Sequence, residues 1–322
     1  MKDWKPTANI RALRLRAELY ALVRRFFAER KVLEVETPVL SSAGNTDPNI
    51  ESFALQFDGA RSAGEATRWL RTSPEFPLKR LLAAGVGDCY ELGRVFRNGE
   101  AGKRHNPDFT MLEWYRVGFD HHQLMDETAE LIKAALALAG RRATVRDTSF
   151  RQLYQDSFGL DVFTAPEEDL RSPLGVYGID PAGLTRDDWL DLLMTHLIQP
   201  TIPSNRILLV YDYPASQCAL ARIREGEPPV AERFEAFLGP LELANGYHEL
   251  KDPGLQRQRF ESDLARRRER NAALPALDER LLASLGKLPD CAGVALGMDR
   301  LMMALLGTDR IADVLAFPFD RA

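Results

Sequence analysis

The sequence is poor in cysteine and has no long apolar run. Its three cysteines (Cys89, Cys218 and Cys291) are scattered and odd in number, which predicts reduced thiols and argues against a disulfide framework or a metal cluster. No apolar run approaches the roughly 18 residues of a membrane helix. The N-terminal residues MKDWKPTANIR lack the apolar core of a signal peptide. The sequence therefore predicts a cytoplasmic protein without membrane association.

Positive charge is also scarce. The net charge of −5 argues against a large general nucleic-acid surface, which would be basic. The phosphate-binding patterns GxGxxG and GxxxxGK are both absent. An acidic chain can still bind a polyphosphate through a few arginines and a metal ion. With 45% hydrophobic and 28% charged residues over 322 positions, the composition fits a globular protein of one large domain, or one with a sizeable insertion.

The first third of the chain predicts a helix, extended segments and a hairpin. Leu19, Leu22, Val23 and Phe26 have helical spacing within residues 10–30. The β-branched run VLEVETPVL follows and stops at Pro38. In SPE, Ser73 is the predicted N-cap of a helix, with Pro74 in its first turn. CYELGRVF and FTMLEWYRV predict two antiparallel strands joined by the polar turn 98–107.

Strands and helices do not alternate regularly in the rest of the chain, which favours an α+β fold with a largely antiparallel sheet. We expect an insertion of helices and loops at about 141–205, where the periodic signal weakens. The other predicted elements are a helix at 121–139, strands at ILLVYDY, 231–237 and 241–247, a charged helix at about 253–272, and a strand running into a helix in GVALGMDRLMMALLG.

The hairpin carries more polar groups than a turn needs. Alternation places Phe109, Met111, Glu113 and Tyr115 on one face of the second strand. A carboxylate on an aromatic-lined face needs a cation, or its pKa shifts. Arg97 ends the partner strand, where a guanidinium can bind a phosphate or a carboxylate. A structural Arg–Glu pair across the strands is one interpretation, and the polar stretch RNGEAGKRHNPDF favours a binding site instead.

A second candidate lies in ERFEAFLGPLELANGYHEL. Glu235 and Glu242 are seven residues apart across a predicted hairpin, which is close enough to share one hard cation through oxygen ligands. Asn245, Tyr247 and Glu249 alternate onto one face of the second strand. The alternative is an acidic edge exposed to solvent.

A third candidate is the Asp-Arg pair that opens the apolar helix of GVALGMDRLMMALLG. Such a pair indicates that Arg300 has a partner, either a simple buried ion pair or a ligand. The glycines before it allow close approach of a backbone or a ligand.

Three stretches follow one another along the chain: the helix and strand that end at Pro38, the hairpin with FRN, HNPDF and EWY, and GMDR. Their order and content resemble the three signature motifs of the class II aminoacyl-tRNA synthetases. The resemblance is closest to the lysyl branch, through TSPE, RHNPDFTMLE, ELANGYHEL and GMDRL, and it extends from about residue 10 to the C-terminus. Lysyl-tRNA synthetases carry an N-terminal β-barrel domain for the anticodon, whereas this sequence starts at the catalytic domain. In this respect, and in PDCAGVALG and the ending FDRA, it resembles the elongation factor P–(R)-β-lysine ligase family.

The resemblance implies a single class II catalytic domain without an anticodon-binding domain, assembled as a homodimer. It implies that the carboxylate of (R)-β-lysine attacks ATP to give an aminoacyl-adenylate, and that the acyl group passes to a lysine of elongation factor P and not to tRNA. Two alternatives are a truncated lysyl-tRNA synthetase that charges tRNA and a non-catalytic paralogue that senses an amino acid.

The resemblance assigns catalysis to Arg97 and Arg300. Arg97 would bridge the substrate carboxylate and the α-phosphate, while Arg300 would lie against adenine and the γ-phosphate. Glu235 and Glu242 would hold Mg²⁺. The residues that it assigns to ATP are Arg97, Asn98, Gly99, Glu100, His105, Asn106, Phe109, Glu242, Leu243, Gly297 and Arg300.

For the amino acid, the resemblance implies a clamp on the distal ammonium. Glu113 and Glu249 would supply the charge, Tyr115 a hydrogen bond, and Glu75 would bind the other amine. An apolar analogue would leave these acids unpaired. The residues that it assigns to the amino acid are Ser73, Pro74, Glu75, Glu113, Tyr115, Asn245, Tyr247, Glu249 and Ala295.

The sequence departs from the family pattern at two positions. The second motif reads Arg-Asn-Gly-Glu where Arg-Asn-Glu is usual, so either Glu100 reaches back across Gly99 or the backbone at 98–99 receives the adenine. Ala295 stands where lysyl-tRNA synthetases carry glycine. We expect its methyl group to disfavour α-lysine by roughly 1–3 kcal/mol and so to favour β-lysine.

Overall fold

The computed structural model describes residues 4–60, 62 and 64–322. The prediction that the N-terminus lacks a signal peptide depends in part on residues 1–3, which lie outside the described residues. The chain divides into two compact units, which we call unit 1 (the segment up to Phe119 together with Leu250–Ala322) and unit 2 (Asp120–Glu249). The single domain expected from the sequence stays a prediction. None of the helices within the described ranges has the length and apolarity that crossing a membrane requires.

The helices and strands are numbered along the chain. The helices are α1 (Ile10–Glu29), α2 (Glu75–Ala83), α3 (His121–Leu138), α4 (Phe150–Phe158), α5 (Glu167–Arg171), α6 (Arg186–Leu193), α7 (Pro253–Glu269), α8 (Glu279–Leu285) and α9 (Met298–Leu306). The strands are β1 (Leu33–Glu34), β2 (Leu40–Ser41), β3 (Ala54–Gln56), β4 (Thr67–Leu70), β5 (Cys89–Phe96), β6 (Asp108–Val117), β7 (Thr144–Ser149), β8 (Arg206–Pro214), β9 (Ile223–Arg224), β10 (Val230–Leu238), β11 (Leu241–His248) and β12 (Cys291–Gly297).

The sheet of each unit is largely antiparallel. In unit 1 the order is β1-β5-β6-β12, with only the short β1 parallel to its neighbour, and β2-β4-β3 form a small second sheet. In unit 2 the order is β11-β10-β8-β7, with β9 beside β10 and only β7 parallel to its neighbour. The predicted α+β class with a largely antiparallel sheet is confirmed.

Helix α1 covers the sheet of unit 1 because one of its faces is apolar. Its N-terminus is capped by Asn9, whose side chain accepts a hydrogen bond from the amide of Ala12. Phe27, near the other end, stacks on Tyr90 of β5 with ring centroids 4.4 Å apart and contacts Trp114 of β6. This contact fixes α1 against the β5–β6 hairpin, the element that carries most of the candidate site in unit 1.

The predicted hairpins and long helices agree with the structure, while some local predictions were wrong. Helix α2 begins at Glu75 with Pro74 as its N-cap; Ser73 lies one residue further out, yet its hydroxyl still accepts the Glu75 amide at 2.9 Å. The run VLEVETPVL forms two short strands in different sheets, on either side of Pro38. Helix α8 was not predicted.

The range 141–205 contains more order than the sequence indicated. It opens with the unpredicted strand β7, and its helices bury apolar side chains against β8 and β10. Tyr154 and Trp189 lie in this core, and the Tyr154 hydroxyl donates to the carbonyl of Leu190 at 2.7 Å. Unit 2 therefore has its own hydrophobic core.

Candidate active site

Unit 1 contains a buried carboxyl group, that of Glu113 in β6, a residue that is 2% exposed. Ser73 donates to its Oε2 at 2.6 Å and Tyr115 donates to its Oε1 at 2.9 Å. Burial is the main cause that raises the pKa of Glu113 to about 8, and the charge of Glu75 is the second. The hydrogen bonds from both hydroxyls lower the pKa but do not offset this shift. An ammonium group beside Glu113 would restore its charge, so this carboxyl is suited to bind an organic cation.

Glu75 begins α2 and is a second acid close enough for its charge to act on Glu113. Its Oε1 accepts from Lys79, one helical turn later, at 2.6 Å, and Lys79 is itself buried. The structure therefore brings together Ser73, Glu75, Glu113 and Tyr115, four of the residues that the resemblance assigns to the amino acid.

Ala295 lies opposite Glu113 in the β6–β12 register. Directly opposed residues on antiparallel strands have Cβ atoms roughly 4.5–5.5 Å apart on the same face of the sheet. The Ala295 methyl group thus lies next to the buried acid, on the same face of the sheet.

The structural Arg–Glu pair across the hairpin does not form. The residue opposite Glu113 on β5 is Glu91, which forms a buried ion pair with Arg71 at 2.7 Å and accepts from Thr37 at 2.6 Å. Sequence reasoning missed Arg71 and Glu91, because the two residues belong to different segments with no common spacing.

Arg97 follows β5 and lies over the ring of Phe109, with its guanidinium carbon 5.2 Å from the ring centroid. Its Nη1 is 3.7 Å from Glu100, and its buried Nε has no hydrogen-bond acceptor among the residues that the structure describes. A buried guanidinium nitrogen without an acceptor favours an anionic ligand at this position.

The Gly99-Glu100 departure has a structural reason. Gly99 has a φ of +82°, in the left-handed region that L residues disfavour, and the turn it makes directs Glu100 back toward Arg97. The contact of Glu100, or of the backbone at 98–99, with adenine stays a prediction.

His105 and Asn106, in the same loop, have different surroundings. Arg300 of α9 donates to His105 Nε2 at 2.8 Å, so the second and third motifs meet here. Asn106 is buried: its Nδ2 donates to Asp108, and its Oδ1 accepts the amide of Phe319 at 2.9 Å. The Asn106 side chain therefore holds the loop against Asp108 and Phe319. Gly297, the other residue assigned to ATP near Arg300, is the N-cap of α9.

In unit 2, the two predicted metal ligands lie on the β10–β11 hairpin. Glu235 is opposite Asn245, and Glu242 is opposite Phe237, across a register shift. Burial raises the pKa of Glu235 to about 7; Arg233 opposes the shift and the charge of Glu242 adds to it. Two mutually repelling carboxylates with hard oxygen donors fit a divalent cation such as Mg²⁺.

Arg233 was missed by the sequence analysis. Its guanidinium contacts Glu235 Oε1, donates to Asn245 Oδ1 at 3.3 Å and lies over the Tyr213 ring. It thereby links a residue assigned to the metal with one assigned to the amino acid. Only its place two residues before Glu235, on the same face of a strand, could have indicated it.

The remaining residues assigned in unit 2 continue along β11. Leu243 is buried, Tyr247 is opposite Arg233, and Glu249 follows the end of the strand with 1% exposure. The alternation predicted for Asn245 and Tyr247 holds within the strand, whereas Glu249 lies beyond it, in a bridge to Ala221.

Comparison with known proteins gives one consistent family. The family described as tRNA synthetases class II (D, K and N) matches residues 3–321. An elongation factor P–(R)-β-lysine ligase from Vibrio cholerae is 47% identical over 328 residues, covering 99% of each chain. Proteins of the same name are 46% identical in Vibrio parahaemolyticus, over 98% of each chain, and 42% identical in Haemophilus influenzae, over 100% of this chain and 99% of the relative.

Proposed function

Because this chain belongs to the class II tRNA synthetases of the D, K and N group, we propose that it activates (R)-β-lysine with ATP and transfers it to elongation factor P. The family and the relatives named as ligases make it an ATP-dependent ligase. The observation that carries the choice of amino acid is the buried Glu113 with Glu75 beside it, a pocket suited to a substrate with two amines.

In the first step, the substrate carboxylate attacks the α-phosphorus of ATP, and pyrophosphate leaves. Two anions must meet, so cations and orientation govern the rate, and holding the reactants in line supplies on the order of 7–11 kcal/mol. Arg97 would bridge the carboxylate and the α-phosphate, and Phe109 would stack on adenine. The buried Nε of Arg97 has no acceptor among the described residues, and the guanidinium lies over Phe109. Both observations support these roles.

Arg300 would lie against adenine and bind the γ-phosphate of ATP. Its hydrogen bond to His105, in the loop that follows Arg97, supports this role. Glu235 and Glu242 would hold Mg²⁺, which when bound offsets the negative charge of the phosphates. In the second step, a lysine amine of elongation factor P attacks the adenylate carbonyl and AMP leaves, so no protein nucleophile is needed.

The activation step is tested by ATP–pyrophosphate exchange with each lysine isomer. We expect exchange that depends on (R)-β-lysine and is weaker with α-lysine. Exchange that is equal without any amino acid, or fastest with an uncharged amino acid, would contradict the proposal.

Ala295→Gly is expected to restore activation of α-lysine. The methyl group lies opposite Glu113, and one methyl group accounts for only about 10–200-fold of discrimination. The ratio of kcat/KM for (R)-β-lysine to kcat/KM for α-lysine should therefore decrease by about 10–200-fold in the variant. Wild type should retain some α-lysine activity. An unchanged ratio would mean that Ala295 is not the discriminator.

We also propose that the protein is a homodimer that associates through α1 and the segment around Pro38. Apolar side chains are exposed there: Ile10, Leu33 and Leu40 are 69%, 53% and 49% exposed. Light scattering at micromolar concentration should give the mass of a dimer, and Leu40→Glu should shift it toward that of a monomer. A monomer mass for wild type would count against this interface.

A further inference from the structure

Three segments of unit 1 converge on one buried carboxylate, that of Asp299, which is 2% exposed. Its Oδ1 pairs with Arg16 of α1 at 2.5 Å, and its Oδ2 accepts the backbone amide of Thr110 of β6 at 2.8 Å. Asp299 itself lies in the first turn of α9. Each of the three signature motifs thus supplies one member of this group.

The bond to Thr110 replaces a missing strand contact. The β6–β12 register ends at the pair Met111 and Gly297, where β12 passes into α9. The amide of Thr110 is the next donor beyond that pair, and a buried backbone N–H needs an acceptor. Because Asp299 supplies the acceptor, its side chain sets where α9 begins relative to β6.

The residues next to this contact are two of those assigned to ATP. Phe109 precedes Thr110 in β6, and Arg300 follows Asp299 in α9. Arg300 then reaches His105 in the loop of the same hairpin. A shift of Asp299 against Thr110 would therefore change the position of Arg300 relative to Phe109.

Arg16 is held by several contacts at once. Its Nη2 also donates to the carbonyl of Val314 at 2.9 Å, and its Nη1 donates to the Tyr20 hydroxyl at 3.1 Å. Tyr20 in turn donates to the Thr110 hydroxyl at 3.2 Å. A buried carboxylate needs such a partner, since removing the cation would leave the charge uncompensated.

We infer that Arg16 and Asp299 are a pair of positioning residues that hold Arg300 and Phe109 in the arrangement that binds ATP. This inference rests on the ATP-dependent activation proposed above. The pair acts through its neighbours and touches no substrate. It also ties the ATP site to α1, the helix proposed to form the dimer interface.

The test compares two aspartates that each accept a backbone amide of the same strand, β6. Asp299→Asn keeps an acceptor for Thr110 and removes the charge facing Arg16. The matched control is Asp88→Asn, because Asp88 likewise accepts a β6 amide, that of Val117 at 2.7 Å, and pairs with Arg116 at 3.2 Å, at the other end of β6. The measurements are the thermal midpoint, the kinetic constants of ATP–pyrophosphate exchange, and the Kd of ATP alone by calorimetry.

We expect Asp299→Asn to raise KM and Kd for ATP by about tenfold or more, and to leave KM for (R)-β-lysine within about threefold. Asp88→Asn should leave all three constants within about threefold, even if its thermal midpoint falls equally. Arg16→Lys, which keeps the charge, should retain more ATP affinity than Arg16→Met.

A folded Asp299→Asn variant with wild-type KM and Kd for ATP would overturn the inference and leave the pair with a purely structural role. If this variant does not fold, Arg16→Met decides, and wild-type ATP constants in a folded Arg16→Met variant overturn the inference equally. Failure of the proposed function has another signature, since wild type itself would then show no exchange dependent on (R)-β-lysine.

Discussion

Arg97→Ala and Arg300→Ala are each expected to lower amino-acid-dependent ATP–pyrophosphate exchange by about 10²–10³-fold or more. Arg97 has a buried Nε without an acceptor among the described residues and lies over Phe109, and Arg300 meets His105 of the same loop. Both side chains would stabilise negative charge on ATP as it reacts. Both side chains are partly exposed, so we expect the variants to fold.

The control for these two variants is Arg257→Ala. Arg257 is an exposed arginine of unit 1 that pairs with Glu279 at 2.5 Å, and exposed ion pairs contribute only about 0–1 kcal/mol. Its exchange activity should equal that of wild type. Exchange within about tenfold of wild type in either test variant would remove that arginine from the active site.

Glu113→Gln is expected to lower kcat/KM for (R)-β-lysine by about 10²–10³-fold, with KM for ATP nearly unchanged. The amide keeps the shape of the side chain and hydrogen bonds to Ser73 and Tyr115, but offers no negative charge to a substrate ammonium. Tyr115→Phe, which removes one hydroxyl and keeps the acid, should cost only about tenfold. Equal losses in the two variants would argue that charge at Glu113 is unimportant.

The same variant tests the raised pKa of Glu113. Between its unfolded value near 4.5 and about 8, the folded protein keeps a proton that the unfolded chain releases, so stability falls as pH rises through this window. Glu113→Gln lacks this loss. The thermal midpoint of the variant, measured relative to that of wild type, should therefore increase between pH 5 and pH 8. A difference that stays constant with pH would contradict the raised pKa.

For wild type, binding of (R)-β-lysine should strengthen as pH rises toward 8, because the acid must lose its proton to pair with the ammonium.

Features set by neighbouring residues were predictable from the sequence. Period-two alternation placed Glu113 and Tyr115 on one face of β6, and their side chains are hydrogen-bonded. Glycine in a polar turn predicted the loop after Arg97, where Gly99 adopts a positive φ. The resemblance to a family added roles that spacing alone could not give.

Features that depend on distant segments were not predictable. The Asp-Arg pair at the start of α9 indicated a partner for Arg300, but no local pattern could indicate that Asp299 pairs with Arg16, which is 283 residues away. The strand β7 (TVRDTS) is polar and mostly exposed, so no apolar alternation marks it, and only its parallel pairing with β8 defines it. Such pairings depend on tertiary contacts that local patterns do not contain.

The most direct measurement of the central claim follows acyl transfer. The protein is incubated with ATP and either (R)-β-lysine or α-lysine, in the presence of both elongation factor P and tRNA, and the mass of each macromolecule is determined. The proposed function predicts that elongation factor P gains one β-lysyl group only when ATP is present, and that tRNA is unchanged. Charged tRNA beside unmodified elongation factor P, or no transfer to either from a protein that binds both ATP and (R)-β-lysine, would contradict it.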